Sequence, residues 1–262
     1  MKRYFNTEGL CNPEEHYMVK LEGRLCQIKT LLVDRMKYFI INKGRQYGKT
    51  TMLGALEKYL KDEYIVIALD FQLMGAGDFA DEETFVSAFA KVFMEVFDLT
   101  DFDSKDGLLK PLAELAQKKE KGSLNELFVR LSRVCAKAPK PVVLMIDEVD
   151  SAANNQVFID FLAQLRGYYL KRNKASIFYS VILAGVYNIK NLKLKLRPEA
   201  EHQYNSPWNI AADFKINMSF SVDEIADMLG EYEADHQTGM DMQEMAEEIY
   251  AYTSGYPVLV SS

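Results

Sequence analysis

Two short stretches of this 262-residue chain carry residue types that could do chemistry together. The first is Gly44-Arg45-Gln46-Tyr47-Gly48-Lys49-Thr50-Thr51. Glycines let a turn's backbone approach an anion closely, and a turn that opens a helix aims backbone N–H groups and the positive end of the helix dipole at it. A lysine at this place reaches the β- and γ-phosphates of a nucleotide, and the hydroxyl after it ligates magnesium. Lys49 and Thr50 take those two roles, with the remaining residues of the stretch as the cradle. The spacing departs from Gly-x-x-x-x-Gly-Lys-Ser/Thr at one point, because Lys43 stands where the first glycine belongs and Gly44 comes one residue late.

The second stretch, Val143-Leu144-Met145-Ile146-Asp147-Glu148, ends an apolar run in two carboxylates. Beside a bound triphosphate, Asp147 would hold the magnesium through water, and Glu148 would orient or deprotonate the attacking water for in-line hydrolysis. The two stretches need each other, since a triphosphate asks for an ammonium and a metal, and the metal asks for a carboxylate. Taken alone, Asp147-Glu148 reads equally well as the cap of a following helix. Asp150 reads as a helix N-cap in preference to a third metal ligand. A glutamate next to the metal aspartate favours hydrolysis over transfer. The guanine-reading Asn-Lys-x-Asp sequence is absent from its usual place, which argues against GTP.

The elements that would position these groups follow from hydrophobic periodicity. Leu21, Leu25, Ile28, Leu31 and Leu32 predict a helix over residues 18–36. Tyr38 to Ile41 is a short apolar strand, and from Thr50 onward Met52, Leu53, Leu56, Tyr59 and Leu60 return to helical spacing. Strands are predicted again at Tyr64–Leu69, Val142–Asp147 and Ile177–Ala184, with helices over 81–98, 123–137 and 156–171. The acidic stretch Asp98–Gly107 reads as a surface excursion. The strands are continuously apolar rather than alternating, the mark of a parallel sheet covered by helices on both faces. Ligands of such sheets sit at the carboxyl ends of the strands. From Ser221 two helices, near 221–234 and 241–252, follow each other without a strand, a small helical appendage.

Composition narrows the function classes. The chain is 48% apolar and 26% charged, with a net charge of −7, so disordered and low-complexity classes are excluded and a uniformly basic nucleic-acid binder is disfavoured. Residues 1–62 hold 12 Lys and Arg against 7 Asp and Glu, residues 63–198 hold 18 against 18, and residues 199–262 hold 1 against 13. The acidic balance therefore belongs to the appendage, and the part with the phosphate-binding turn is mildly basic. No secretory h-region follows the N-terminus and no window approaches the roughly 18 apolar residues of a membrane span; the expected location is cytoplasmic. Cys11, Cys26 and Cys135 show no metal-ligand spacing and read as buried or half-buried thiols.

Three weaker signals are open to two readings. Asn188, beyond the strand ending near Gly185, is placed to sense a γ-phosphate or to form a loop. Arg166, Lys171 and Arg172 could act on a nucleotide in this or a neighbouring subunit, or form a solvated helix face. In Thr253-Ser254-Gly255-Tyr256-Pro257-Val258-Leu259-Val260, a helix stops at Gly255 and Pro257 initiates a new segment.

GRQYGKTT, VVLMIDEVD, SVILAGVYNI, SPWNIAADF and SGYPVLV occur in the order seen in the AAA-ATPase-like family of P-loop NTPases, relatives of the STAND and archaeal signalling ATPases, and the chain resembles that family over most of its length. Members commonly lack the first glycine of the loop, as here. The resemblance implies an ASCE-type (additional-strand) P-loop α/β fold with sheet order 5-1-4-3-2, an ATPase core over residues 1–220 and a helical lid over 221–262. It implies ATP and Mg2+ as ligands, with Gly48, Lys49 and Thr50 for phosphate and metal, Asp147 and Glu148 for metal and hydrolysis, and Pro257 near the adenine. The expected activity is slow ATP hydrolysis used as a regulatory switch. The alternatives are a non-hydrolysing nucleotide-bound interaction module and a P-loop kinase for a small molecule or nucleotide, although the lid is nearly free of the arginines that such kinases carry. Expected partners are ATP, a protein partner or a C-terminal effector domain outside this chain, and further copies of the chain in a homo-oligomer. No membrane and no nucleic acid bound directly by this domain are expected. Ending just after SGYPVLV, where relatives continue, the chain reads as the ATPase portion of a longer protein.

Overall fold

The computed structural model describes residues 3–100, 107–117, 122–186 and 208–262. The chain forms two compact units, Leu31–Asn42 with Leu60–Phe214, and Met1–Thr30 with Lys43–Tyr59 and Lys215–Ser262.

The first unit is built on four parallel strands, β1 (Tyr38–Asn42), β2 (Ile65–Asp70), β3 (Val142–Asp147) and β4 (Ser180–Gly185), in the order β1-β4-β3-β2. Successive side chains of a strand point to opposite faces, and Phe39 and Ile41 are as buried as Tyr38 and Ile40, so both faces are covered. The sheet thus has the last four members of the expected 5-1-4-3-2 order. The outer place beside β1 holds a single parallel bridge, Phe39 to Ala212, with the Ala212 N–H donating to the Tyr38 carbonyl at 2.8 Å.

Helix α3 (Glu82–Asp98) anchors the core of this unit. Asp81 caps it by accepting the Thr84 N–H at 2.8 Å. Phe85, Phe89, Phe93 and Phe97 recur every four residues, which stacks them on one face, and all four are fully buried. Adjacent rings lie 5.9, 6.2 and 6.1 Å apart. Removing such a side chain from water contributes about 2 kcal/mol, so this ridge outweighs any single polar contact nearby. Helices α5 (Leu124–Lys137) and α6 (Gln156–Leu170) complete the layer within two residues of expectation. Helix α4 (Lys110–Ala116) was not expected; its Pro111 sits in the first turn, where a missing N–H costs nothing, and Leu112 and Leu115 are buried.

In the second unit the predicted helix over 18–36 is shorter, with α1 covering Glu22–Ile28 and a π-helical turn, Lys29–Val33, after it. Tyr17 and Val19 explain the late start: both are buried with Ile225, Met228 and Leu229, and a two-residue alternation cannot be kept on one face of a helix. Helix α2 (Lys49–Leu60) opens at the glycine turn. Helices α7 (Val222–His236) and α8 (Met242–Thr253) follow, then one turn, Pro257–Val260. Among the described residues no helix is long and apolar enough to cross a membrane.

Arg24 ties the start of the chain to its end. Its side chain, only 9% exposed, donates to the Asn217 and Ser219 carbonyls, both at 2.8 Å, and to both carboxylate oxygens of Glu224 at 2.6 and 2.8 Å. Glu224 also accepts the Ser221 N–H at 2.8 Å while Ser221 caps α7, so one carboxylate serves a fork and a capping box. Farther along α7, Arg3 pairs with Glu231 and Asp235, and Asp235 accepts the Tyr17 hydroxyl at 2.8 Å.

Arg24→Ala removes a buried cation and leaves two carbonyls unpaired, and is expected to destabilise this unit by about 3 kcal/mol in denaturant unfolding. The Tyr17 hydroxyl and the Arg3 guanidinium hold the Asp235 carboxyl below its usual range. A depressed carboxyl contributes stability above the unfolded value of about pH 4, and this is lost as pH falls through the folded value. Protection of the N-terminal segment from limited proteolysis should therefore weaken below about pH 4, and Asp235→Asn should remove that dependence.

Candidate functional site

In a parallel sheet every strand runs out at the same edge. Asn42 at the end of β1 pairs with Gly185 of β4, and Ile146 near the end of β3 pairs with Leu183 on the other side of the same strand. At this edge β1, which runs on into the glycine turn, and β3, which ends in Asp147, have one strand between them.

The turn curls through two left-handed residues, Gln46 at φ 59° and Gly48 at φ 71°. Gly48 is the position that needs glycine, because an L side chain rarely adopts that backbone. Gly44 is different: an added Cβ would meet only ordinary contacts, Tyr47 Cδ2 at 3.7 Å and the Tyr256 hydroxyl at 3.8 Å. The α2 backbone begins with the Met52 N–H donating to the Gly48 carbonyl at 2.9 Å. That leaves the N–H groups of the first turn at a helix end, where an anion is favoured. The cations Lys43, Arg45 and Lys49 fall in this stretch, and no acidic residue follows until Glu57. Lys49 is 6% exposed and its ammonium donates into the curl, to the Lys43 carbonyl at 3.1 Å and the Gly44 carbonyl at 3.0 Å. The Thr51 hydroxyl accepts the Cys11 N–H at 3.2 Å and so fixes the N-terminal segment against α2.

On β3, Asp147 is 8% exposed, and its Oδ1 accepts the N–H of Glu148 at 2.8 Å. Glu148 is half-buried and left-handed, with φ 50° and ψ 40°. For a residue with a Cβ that conformation costs about 1–2 kcal/mol, a cost that places the carboxylate immediately beyond the strand end.

The structure revises several expectations. Asp150 is not the N-cap of α6, which begins after Asn155 with no side-chain cap bond; the Asp150 carboxylate accepts the Val186 N–H at the end of β4. A Cβ at Gly185 would lie 2.9 and 3.0 Å from the Asp150 carboxylate oxygens, so glycine lets β3 and β4 be joined there. Arg166 donates to Asn209 Oδ1 at 2.9 Å, and Arg172 donates to the Met36 carbonyl at 3.0 Å with its guanidinium 4.5 Å from the Tyr169 ring centre, while Lys171 closes α6. Both arginines are thus engaged within the sheet-bearing unit. Asn188 lies outside the described residues. Pro257 is buried at the first position of its helical turn. Cys11 and Cys135 are half-buried as expected but Cys26 is exposed, and burial pushes the Cys135 thiol up to about 12. Among the described residues no group of three or more His, Cys, Asp or Glu side chains could hold a metal.

Sequence reasoning missed the contacts that the C-terminal helices make with the turn. Tyr47 and Tyr256 meet edge to face, with ring centres 4.6 Å apart and an interplanar angle of 80°. The Tyr256 hydroxyl donates to the Arg45 carbonyl, and the Tyr47 hydroxyl shares a hydrogen bond with Ser219 Oγ at 3.1 Å. The only local signal was a tyrosine in each motif.

Residues 33–262 match the protein family described as AAA-like domain. Among solved structures, the Walker-type ATPase Paby2304 of Pyrococcus abyssi superposes with a TM-score of 0.60 at 16% identity, covering 98% of this chain and 69% of that one. Two Aeropyrum pernix proteins, Orc1 solved in complex with DNA and Orc2 solved as ADPNP–ADP complexes, each give a TM-score of 0.49 at 11% identity. They are covered over 58% and 63% of their length. No curated protein matches. At these identities the structural likeness is one of fold.

If the left-handed backbone at Glu148 is strained, Glu148→Gly should unfold at higher denaturant than Glu148→Ala, by about 1 kcal/mol.

Proposed function

We propose, from the premise that this chain belongs to the family of AAA-like domains, that it binds ATP with magnesium and hydrolyses it slowly as a regulatory switch. One observation carries the reading. The strand that runs on into the glycine turn, β1, and the strand that ends in the carboxylate pair, β3, are parallel and separated only by β4, and the turn itself is left-handed with Lys49 held into its own curl. Sheets of this kind bind ligands at the carboxyl ends of their strands.

In this reading the N–H groups from Gly44 to Thr51 and the α2 dipole bind the β- and γ-phosphates. Lys49 exchanges its two carbonyl acceptors for phosphate oxygens, a charge-assisted bond in place of two neutral ones. The Thr50 hydroxyl and the Asp147 carboxylate are hard oxygen donors, which fits magnesium; that ion is commonly held by one or two protein oxygens together with substrate phosphates. Bound there, the metal would neutralise charge developing on the transferred phosphoryl group. Glu148 accepts a proton from the attacking water or orients it. Its backbone is held on both sides, its N–H by Asp147 and its carbonyl by Ser151 at the start of the short 3-10 turn Val149–Ser151. Pro257 would border the base. Protein partners and oligomer formation belong to the same proposal, as does the division into a core over 1–220 and a lid over 221–262.

The non-hydrolysing alternative keeps every binding element and loses only the role of Glu148, so one experiment separates the two. Lys49→Ala should weaken magnesium–ATP binding by about 10- to 100-fold in calorimetric titration, the loss of one or two charge-assisted bonds. Glu148→Gln should bind within a few-fold of wild type yet turn over about 100-fold or more slowly. Stoichiometric binding with no turnover in the wild type would establish the interaction module instead, and equal weak binding in all three proteins would overturn the nucleotide reading.

A further inference from the structure

We infer that Tyr256 and Ser219, neither of them in the phosphate-binding turn, are positioning residues for it: they hold the peptide that presents the Gln46 N–H and thereby couple occupancy of the turn to the helices of residues 217–260. The inference rests on the nucleotide reading above and deepens it.

The carbonyl of Arg45 and the N–H of Gln46 belong to one trans peptide plane and point in opposite directions. By donating to that carbonyl, the Tyr256 hydroxyl fixes the direction of the Gln46 N–H. Gln46 is the left-handed, non-glycine residue of the turn, at φ 59°, so the orientation that Tyr256 holds is one that the local backbone does not favour. A second hold comes from Ser219, bonded to the hydroxyl of Tyr47 one residue on, and the two tyrosine rings pack edge to face between these bonds.

Ser219 and Tyr256 come from opposite ends of the α7–α8 pair, yet they act as one piece. The Phe220 N–H donates to the Gly255 carbonyl at 2.8 Å, and Gly255 is left-handed, with so little room that a Cβ would fall 2.0 Å from the Phe220 carbonyl oxygen. The buried Arg24 then clamps the Asn217 and Ser219 carbonyls to Glu224 at the start of α7. A shift of the Arg45–Gln46 peptide when phosphate binds therefore meets a backbone-bonded pair of segments rather than two loose side chains. Coupling between sites is reciprocal: whatever Tyr256 adds to phosphate affinity, phosphate adds to the docking of the helices.

Tyr256→Phe keeps the ring contact and removes only the bond to Arg45, and Ser219→Ala removes the other bond without altering the turn. For Tyr256→Phe, a roughly 3- to 10-fold loss of affinity is expected for magnesium–ATPγS and for tripolyphosphate alike, the range of one neutral hydrogen bond. Ser219→Ala should lose less. Amide exchange at residues 217–221 and 254–260 should slow when ATPγS binds the wild type and slow by a correspondingly smaller factor in Tyr256→Phe. Tripolyphosphate is the probe that assigns the effect to the turn. Loss of ATPγS affinity with tripolyphosphate binding unchanged would place Tyr256 at the base or sugar and overturn the inference. Wild-type affinities and exchange in both variants would overturn it while leaving the nucleotide reading intact. A wild type that binds neither ligand would overturn both.

Discussion

A parallel sheet buried on both faces obeys one constraint: its strands end together, and the backbone beyond them must find partners outside the ladder. Everything of chemical interest in this chain is a solution to that problem at the ends of β1, β3 and β4. After β1 the backbone curls into a glycine turn and feeds a helix. After β3 it pauses in a left-handed residue. After β4 it gives the Val186 N–H to a side chain, Asp150, that comes from the β3 end. The constraint also explains why large apolar ridges such as Phe85 to Phe97 matter to function, since without that burial the edge would not be held in register.

Backbone conformations that glycine tolerates and other residues resist recur in the glycine turn, after β3 and just before Tyr256. Gly48 and Gly255 are glycines at φ 71°, while Gln46 and Glu148 are not glycines at φ 59° and 50°. At the first pair the sequence relieves strain; at the second it keeps a side chain at a cost of about 1–2 kcal/mol each. Observed strain of this kind is a pointer to use. At Glu148 the use is a carboxylate that a glycine would forfeit. At Gln46 it is the direction of a backbone donor, which explains why a hydrogen bond from Tyr256 is placed on the preceding carbonyl.

Local signals made much of this legible. The strands were readable from their apolar runs, and so was the placement of Lys49-Thr50 at the head of a helix after β1 and of Asp147-Glu148 at the end of β3. What stayed hidden depends on contacts distant in sequence. Arg24 and Glu224 are 200 positions apart, and nothing near either distinguishes a structural ion pair from a surface charge. Asp150 illustrates the opposite failure: an aspartate between a strand and a helix looks like a cap, and only the approach of Gly185 shows where its carboxylate goes. The helix predicted over 18–36 started too early because Val19, with Tyr17 before it, packs with Ile225, Met228 and Leu229, a core far along the chain that local periodicity does not show.

The charge distribution poses a last question: why, when residues 199–262 hold 1 basic and 13 acidic residues, the arm from Lys215 onward should touch the turn proposed to bind a triphosphate. The contacts answer it. Among the described residues, the groups bonded to or packed on the turn from this arm are neutral: the Tyr256 hydroxyl, the Ser219 hydroxyl and an aromatic edge. Several of its carboxylates are engaged elsewhere, Glu224 by Arg24, Glu231 and Asp235 by Arg3, and Asp241 by the Gln243 and Glu244 N–H groups that it caps. A carboxylate in direct contact would repel bound phosphate, whereas exposed charges beyond about 10 Å are largely screened at ordinary salt. The two arginines that pair with α7 come from the mildly basic first part of the chain. They let the arm remain acidic as a whole and electrically silent where it meets the turn.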